Sequence, residues 1–195
     1  MNILFIADPL ESFAIYKDST FAMMREAQAR GHCISACEPH EVHWSAHSQS
    51  TSSYVSAAVR DIRITRDLSK VGTHWFESKQ ADKTRRRAAL KDFDAVLMRK
   101  DPPFDSEYFY TTHLLTQAER EGARIFNRPS ALREHPEKLA IMEFPQYIAP
   151  TLVTRSAQDI RAFHAEQRDI ILKPLDGMGG MGIFRVKEDG LNLGS

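Results

Sequence analysis

The opening residues of the chain change from a strand-like to a helix-like hydrophobic pattern and back again. Residues 2–7 form a short apolar run, which predicts a buried strand. Residues 21–30 have helical spacing and are followed by Gly31, which predicts a helix with a defined end. Residues 32–37 predict a second strand. This order is typical of a βαβ unit with a parallel sheet, which binds ligands at the carboxyl ends of its strands.

The pattern weakens between residues 39 and 92, where short alternating apolar runs such as 59–64 occur and we assign no function, and then returns. We predict a strand at 95–98, a helix at 107–121 and a strand at 124–127. Pro129 follows, and we place a domain boundary there. The prediction is therefore an N-terminal domain of residues 1–128 and a second segment of residues 129–195.

The second segment also alternates between helical and extended patterns. We predict a helix that begins near Pro136, a helix at 156–166, and strands at 151–154, 170–173 and 183–186. No helix or cap follows the last strand, so its sheet would keep an open apolar edge. We therefore expect this domain to be incomplete within residues 129–195.

Composition narrows the class of protein. Of the 195 residues, 42% are hydrophobic and 27% are charged, and no apolar run is long enough to span a membrane. Basic and acidic residues number 26 each, so no overall charge favours nucleic acid or a membrane surface. Two cysteines, Cys33 and Cys37, are too few for a disulfide framework, and we expect packed, reduced thiols in a cytoplasmic protein.

Four closely spaced glycines form the strongest chemical signal, at Gly177, Gly179, Gly180 and Gly182. Such a density lets backbone N–H groups wrap a phosphate. Three of them match the dinucleotide pattern G-x-G-x-x-G, but a strand follows where that pattern needs a helix, which argues against NAD binding. A strand on each side predicts a hairpin that closes over ATP phosphates, with Lys173 beside it. A surface hairpin with a tight turn is the alternative.

Several stretches resemble bacterial glutathione synthetases. ILKPLDGMGG at 171–180, followed by IFRV at 183–186, is similar to the family's central ATP-grasp signature. MRKDPPFD at 98–105 is similar to a second hallmark, and KDSTFAM at 17–23 is similar to the start of the family's first helix. NRP and EKL lie between them in the expected order, at 127–129 and 137–139. The resemblance implies an α/β fold, with a Rossmann-like, parallel-sheet pre-ATP-grasp domain followed by an incomplete ATP-grasp domain.

The resemblance also implies an activity, in which ATP drives the ligation of γ-glutamylcysteine and glycine through an acyl phosphate. ATP and Mg²⁺ are the implied cofactors, and a homo-oligomer, commonly a tetramer, is the implied assembly. The implied nucleotide-binding residues are the two lysines and the loop: Lys138, Lys173, Asp176, Gly177, Met178, Gly179, Gly180 and Gly182. The catalytic candidates are Arg99, Gly179 and Gly180.

Asp18, Ser19 and Arg99 are candidates for the dipeptide site, because they fall on loops at the expected strand ends and Arg99 suits a carboxylate. Ordinary roles stay open for each, a helix N-cap for Asp18 or Ser19 and a surface ion pair for Arg99. The family's magnesium ligands follow the stretch matched here, so we assign no metal ligand and expect residues 1–195 alone to be inactive. A truncated non-catalytic nucleotide-binding module and an ATP-grasp ligase of different substrate are the alternatives.

Two further clusters receive no functional assignment. Cys37, His40, His43 and His47 have spacings that could suggest zinc, but they lack a matching second pair, so solvated histidines are favoured. Arg85, Arg86 and Arg87, with Lys83 and Lys91, have no interleaved aromatic residues, so a solvated helix face is favoured over a nucleic-acid site.

Overall fold

The structure is a computed structural model that describes residues 1–46, 53–65, 75–79 and 85–194. The chain forms two compact units. Unit 1 consists of Met1–Asp101 and Asp105–Glu134, and unit 2 consists of Pro102–Phe104 and the residues from His135 onward. The domain boundary expected after residue 128 stays a prediction.

Unit 1 is a mixed α/β structure. Its strands are β1 (Asn2–Ile6), β2 (Cys33–Cys37), β3 (Val42–Ser45), β4 (Tyr54–Ile64), β5 (Phe76–Ser78), β6 (Arg86–Ala89), β7 (Ala95–Met98) and β8 (Ile125–Phe126). Its helices are α1 (Ser19–Ala29), α2 (Ser106–Arg120) and α3 (Pro129–Glu134). The strands form one sheet with the order β3-β4-β2-β1-β7-β8, and β5 and β6 also pair with β4.

The centre of this sheet is parallel, as the sequence predicts. β1 pairs in parallel with both β2 and β7, and β7 pairs in parallel with β8. The strands between residues 39 and 92 extend the sheet with antiparallel pairs, all made through β4. The sequence pattern did not predict these strands.

Side chains alternate between two hydrophobic clusters on opposite faces of the sheet. On one face Leu4 and Ile6 pack with Leu115 of α2. On the other face Ile3 and Phe5 pack with residues of α1 and with the indole of Trp75. Burial on both faces explains why the first strand reads as a continuous apolar run.

Local capping signals place the helix ends. Asp18 caps α1, because its Oδ1 accepts a hydrogen bond of 2.8 Å from the backbone N–H of Phe21. Asp105 caps α2 in the same way. Gly31 and Gly122 follow these helices with φ of +79° and +101°, which confirms them as helix stops.

Two residues of the basic cluster, Arg86 and Arg87, lie on a strand, so the prediction of a helix face is wrong. β6 begins at Arg86 and pairs with β4. Arg86 forms an ion pair with Asp61, and Arg85 forms one with Glu41. Lys83 lies outside the described residues. Pairing with β4 makes this segment extended, because it supplies hydrogen bonds that the local sequence does not reveal.

The cysteines and histidines differ in part from expectation: His40 is exposed, as expected, whereas His43 is half-buried. Both cysteines are free thiols, but only Cys37 is buried, so the expected packing is wrong for the exposed Cys33. Burial is the main reason that the pKa of Cys37 lies far above its ordinary value. His47 lies outside the described residues.

Among the described residues, no helix has the length and apolar character needed to cross a membrane.

Unit 2 contains α4 (Ala157–Gln167), β9 (Ile170–Leu172) and β10 (Phe184–Val186). β9 and β10 pair antiparallel, which confirms the predicted hairpin. Two other predictions are wrong: residues 151–154 form no strand, and single 3-10 turns, at Ala140–Glu143 and Pro145–Tyr147, occupy the place of a helix near Pro136. In its described part only Ile170 and Val186 are buried hydrophobic residues, so little packing supports further regular elements.

Candidate active site

In unit 1, polar residues gather where β1 and β7 end. These strands are parallel neighbours with Ile6 opposite Met98, so their carboxyl ends lie at the same edge of the sheet. The Asp8 carboxylate lies 2.8 Å from the Lys100 ammonium and accepts a hydrogen bond of 2.9 Å from the backbone N–H of Asp101. Asp8 therefore fixes the segment that follows β7.

Arg99 lies in this segment and reaches across to the first turn of α1. Its Nε donates to Oγ1 of Thr20 at 3.2 Å, and its Nη2 donates to Oγ of Ser19 at 2.8 Å. Among the described residues no carboxylate forms an ion pair with Arg99, so the surface ion pair considered for it is not found. The structure thus brings Arg99 together with Ser19, and Asp18 lies next to them as the α1 cap.

The electrostatics of this edge combine both signs of charge. Partial loss of hydration is the largest cause that raises the pKa of Asp101, followed by the charges of Asp8 and Asp18. Arg99 and Lys100 oppose this rise. Negative charge therefore accumulates beside a guanidinium that lacks an ion-pair partner among the described residues.

In unit 2, the hairpin and the residues before α4 surround a cavity of about 1110 Å³. Apolar side chains form much of its wall, including Ile148, Leu152, Phe163 and Leu172. Lys138, Lys173 and Gly177–Gly182 also line it. An apolar wall with a few convergent polar groups is typical of a site for a small molecule.

The two lysines that line this cavity differ in their contacts and exposure. The ammonium of Lys138 donates a hydrogen bond to the carbonyl oxygen of Gly177, which ties this lysine to the glycine loop. Lys173 is exposed, and the described residues provide no ion pair for it. Both lysines line the cavity, but only Lys173 lacks an ion pair among the described residues, since Lys138 also lies 3.9 Å from the Glu137 carboxylate.

The glycines of the loop are required for two different reasons. Gly179, Gly180 and Gly182 have φ of +61°, +84° and +68°, a conformation that L side chains rarely adopt. At Gly177 the reason is space, because a Cβ there would lie 2.9 Å from the ring of Pro174. The loop conformation therefore depends on glycine at each position.

Asp176 and Met178 differ in their position relative to the cavity. Met178 lines the cavity together with the glycines, whereas Asp176 is exposed and is not part of the wall. The roles of all these residues in binding stay predictions. Among the described residues no group of three or more His, Cys, Asp or Glu side chains could hold a metal ion.

Sequence reasoning missed Thr20, Asp8 and Lys100. Asp8 and Lys100 each follow a predicted parallel strand, so the rule that ligands bind at carboxyl ends could have identified them. No local signal identifies Thr20, because its contact with Arg99 joins residues 79 positions apart.

Comparisons with known proteins cover almost the whole chain. Residues 1–133 match the family model of the N-terminal domain of prokaryotic glutathione synthetase, and residues 137–195 match that of its ATP-grasp domain. A glutathione synthetase of Ralstonia nicotianae is 54% identical over 195 residues, and one of Bordetella parapertussis is 52% identical over 194 residues.

These relatives are longer than the chain. Their alignments cover 100% and 99% of this chain but only 56% and 58% of the two relatives. The chain therefore spans a little more than half the length of the curated relatives it matches.

A solved structure supports the fold. The ATP-grasp ligase PsnB, complexed with a phosphomimetic variant of its minimal precursor, Mg and ADP, is similar with a TM-score of 0.50 at 18% identity. The match covers 97% of this chain and 58% of that chain. Since the two family models match residues 1–133 and 137–195, the chain belongs to the prokaryotic glutathione synthetase family.

Proposed function

We propose that the protein of full family length is a glutathione synthase, which uses ATP to join γ-glutamylcysteine to glycine. The observation that carries this proposal is the cavity of unit 2, where two lysines and the glycine loop line one space. Family membership supports the choice of reaction. Because the chain spans 56% and 58% of its relatives, the proposal concerns the whole protein.

In the first step, the γ-phosphoryl group of ATP passes to the cysteinyl carboxylate of γ-glutamylcysteine. A carboxylate oxygen forms a bond to phosphorus, the bond to the bridging oxygen of ADP breaks, and an acyl phosphate results. Phosphoryl transfer depends on positioning and on positive groups at the phosphate oxygens. Lys138 and Lys173 supply such charges, and Lys138 exchanges the Gly177 carbonyl for a phosphate oxygen.

In the second step, the amine of glycine attacks the acyl carbon and loses a proton, and phosphate leaves with the electrons of the broken C–O bond. Water would compete with glycine for the acyl phosphate. The loop from Gly177 to Gly182 borders the cavity, and we assign to it the exclusion of water. Gly179 and Gly180 are exposed in this loop and line the cavity, so their N–H groups can approach the phosphate.

The dipeptide binds at the strand edge of unit 1 in this proposal. Arg99 binds a carboxylate of γ-glutamylcysteine, since its guanidinium has hydroxyl partners but no ion-pair partner among the described residues. Asp18 and Ser19 lie beside it at the start of α1.

We propose that Mg²⁺ binds together with ATP, since the PsnB structure contains both Mg and ADP. It would neutralise charge on the phosphates. The described residues contain no cluster that fits a metal ion, so no step is assigned to metal ligands of this chain.

Isotope transfer tests both the activity and its intermediate. The full-length protein would receive ATP, glycine and γ-glutamylcysteine labelled with ¹⁸O in the cysteinyl carboxylate. We expect glutathione, and phosphate that carries one ¹⁸O atom per turnover, by mass spectrometry. Unlabelled phosphate would contradict the acyl phosphate, and phosphate release with other acids or amines in a substrate survey would favour a different ATP-grasp ligase.

The 195-residue chain should form little or no glutathione by itself in this proposal, because it spans only 56% of the length of a relative. The same assay on the isolated chain tests this, and measurable glutathione formation would refute it. If nucleotide binds but no acid or amine reacts with the full-length protein, the non-catalytic module becomes the better proposal.

We also propose a homo-oligomer, which light scattering during gel filtration would detect.

A further inference from the structure

The contacts of Arg99 occupy one defined edge of its guanidinium group. Nε and Nη2 carry two parallel N–H bonds on the same side of the group, and these point to the hydroxyls of Thr20 and Ser19. The opposite edge, made of Nη1 and the second hydrogen of Nη2, has no partner among the described residues. Arginine can bind a carboxylate through two hydrogen bonds at such an edge.

The two hydroxyls are held in place by the fold. Ser19 and Thr20 lie in the first turn of α1, which Asp18 caps. Thr20 is only 4% exposed, and its β-branched side chain has few rotamers. The backbone of Arg99 is fixed as well, since its N–H donates to the carbonyl oxygen of Ile6 at 2.7 Å.

We propose that Thr20 is a positioning residue that, together with Ser19, holds the Nε edge of Arg99 and leaves the Nη1 edge to bind the substrate carboxylate. This inference rests on the proposed function, because it names how that carboxylate is recognised. Thr20 acts through Arg99 and does not itself touch the substrate. A guanidinium that is oriented in advance loses less conformational freedom when it binds.

Substitution of Thr20 by valine tests this role, because valine keeps the shape and removes the hydroxyl. In the full-length protein, Thr20→Val should raise KM for γ-glutamylcysteine about 5- to 10-fold, which lies within the usual net effect of one hydrogen bond. The KM values for ATP and glycine and the kcat should stay within about twofold. Thr20→Ser restores the hydroxyl and should return KM close to the wild-type value.

A matched control comes from α2. Thr112 is also a buried threonine, and its hydroxyl donates to the carbonyl oxygen of Phe109. Thr112→Val makes the same chemical change away from Arg99 and should leave all three KM values unchanged. If Thr20→Val proves unfolded by its melting curve, Ser19→Ala at an exposed position tests the same edge and should also raise KM for the dipeptide.

A double-mutant cycle separates positioning from general structural damage. In an Arg99→Lys background, Thr20→Val should add less than about a twofold effect, because lysine has no Nε edge to hold. Full additivity would overturn the inference, as would an unchanged dipeptide KM in an active Thr20→Val protein. If the wild-type protein releases no phosphate with γ-glutamylcysteine, the proposed function itself fails, and this inference fails with it.

Discussion

Gly179 offers a sharp test of the glycine loop. Its φ of +61° is favourable for glycine and strained for alanine, and no atom lies within 4 Å of a Cβ placed there. The cost of Gly179→Ala is therefore conformational and not steric, and amounts to roughly 1–2 kcal/mol. Because the loop is exposed and has few contacts, the strained chain should leave this conformation instead of unfolding unit 2.

If the described conformation is the one that binds nucleotide, its lower population weakens apparent affinity by the same factor. A cost of roughly 1–2 kcal/mol corresponds to a Kd for ATP that is about 5- to 30-fold higher. Gly179→Asn should give a smaller loss, since asparagine tolerates positive φ better than alanine does. Calorimetric titration of the full-length protein with a non-hydrolysable ATP analogue measures these constants.

Gly190 provides the matched control. It also has a positive φ, +68°, and open space where a Cβ would stand, but it does not line the cavity. Gly190→Ala carries the same conformational cost and should leave the affinity unchanged. Equal losses for the two variants, or no loss for Gly179→Ala, would refute the assignment of the loop to nucleotide binding.

Three further predictions concern unit 1. The pKa of Asp101 in the folded protein lies above its ordinary value, so ionisation of this carboxyl favours the unfolded chain and the folded protein loses stability as the pH rises through the pKa. Asp101→Asn should therefore raise Tm at pH 7, and a lower Tm would contradict this. Iodoacetamide should label the exposed Cys33 in the native protein and leave the buried Cys37 unmodified. Peptide mass spectrometry measures both labelling rates, and equal rates would contradict the burial of Cys37. Leu115 is fully buried, so Leu115→Ala should lower the free energy of unfolding by about 2–5 kcal/mol in urea, whereas Leu191→Ala at a 70% exposed position should change it by less than about 0.5 kcal/mol.

The strand β4 shows why residues 39–92 were not predicted. Val55, Ala57 and Val59 pack on one face of the sheet, whereas Ile62 and Ile64 pack on the other. The apolar positions therefore change from odd to even numbers within one strand. This change hides the period of two from which a strand is recognised, because each half of β4 faces a different core.

The sequence alone determined the features that depend on neighbouring residues. The positions of strands β1 and β7, the cap of α1 and the glycine hairpin all follow from local hydrophobic spacing, capping side chains and glycine density. Local chemistry suffices for the cap and the hairpin, because their hydrogen bonds form within a short stretch of chain. For the two strands it indicates only that the segment is apolar and extended.

Only the tertiary structure decided which distant groups meet. The edge of Arg99 held by Ser19 and Thr20, and the contact between Lys138 and the Gly177 carbonyl, join residues far apart in the chain. Such contacts depend on the sheet order and on the path of the backbone, which bring segments together through the burial of many side chains at once. A sequence pattern records which side of an element is apolar, and it does not record which element will cover that side.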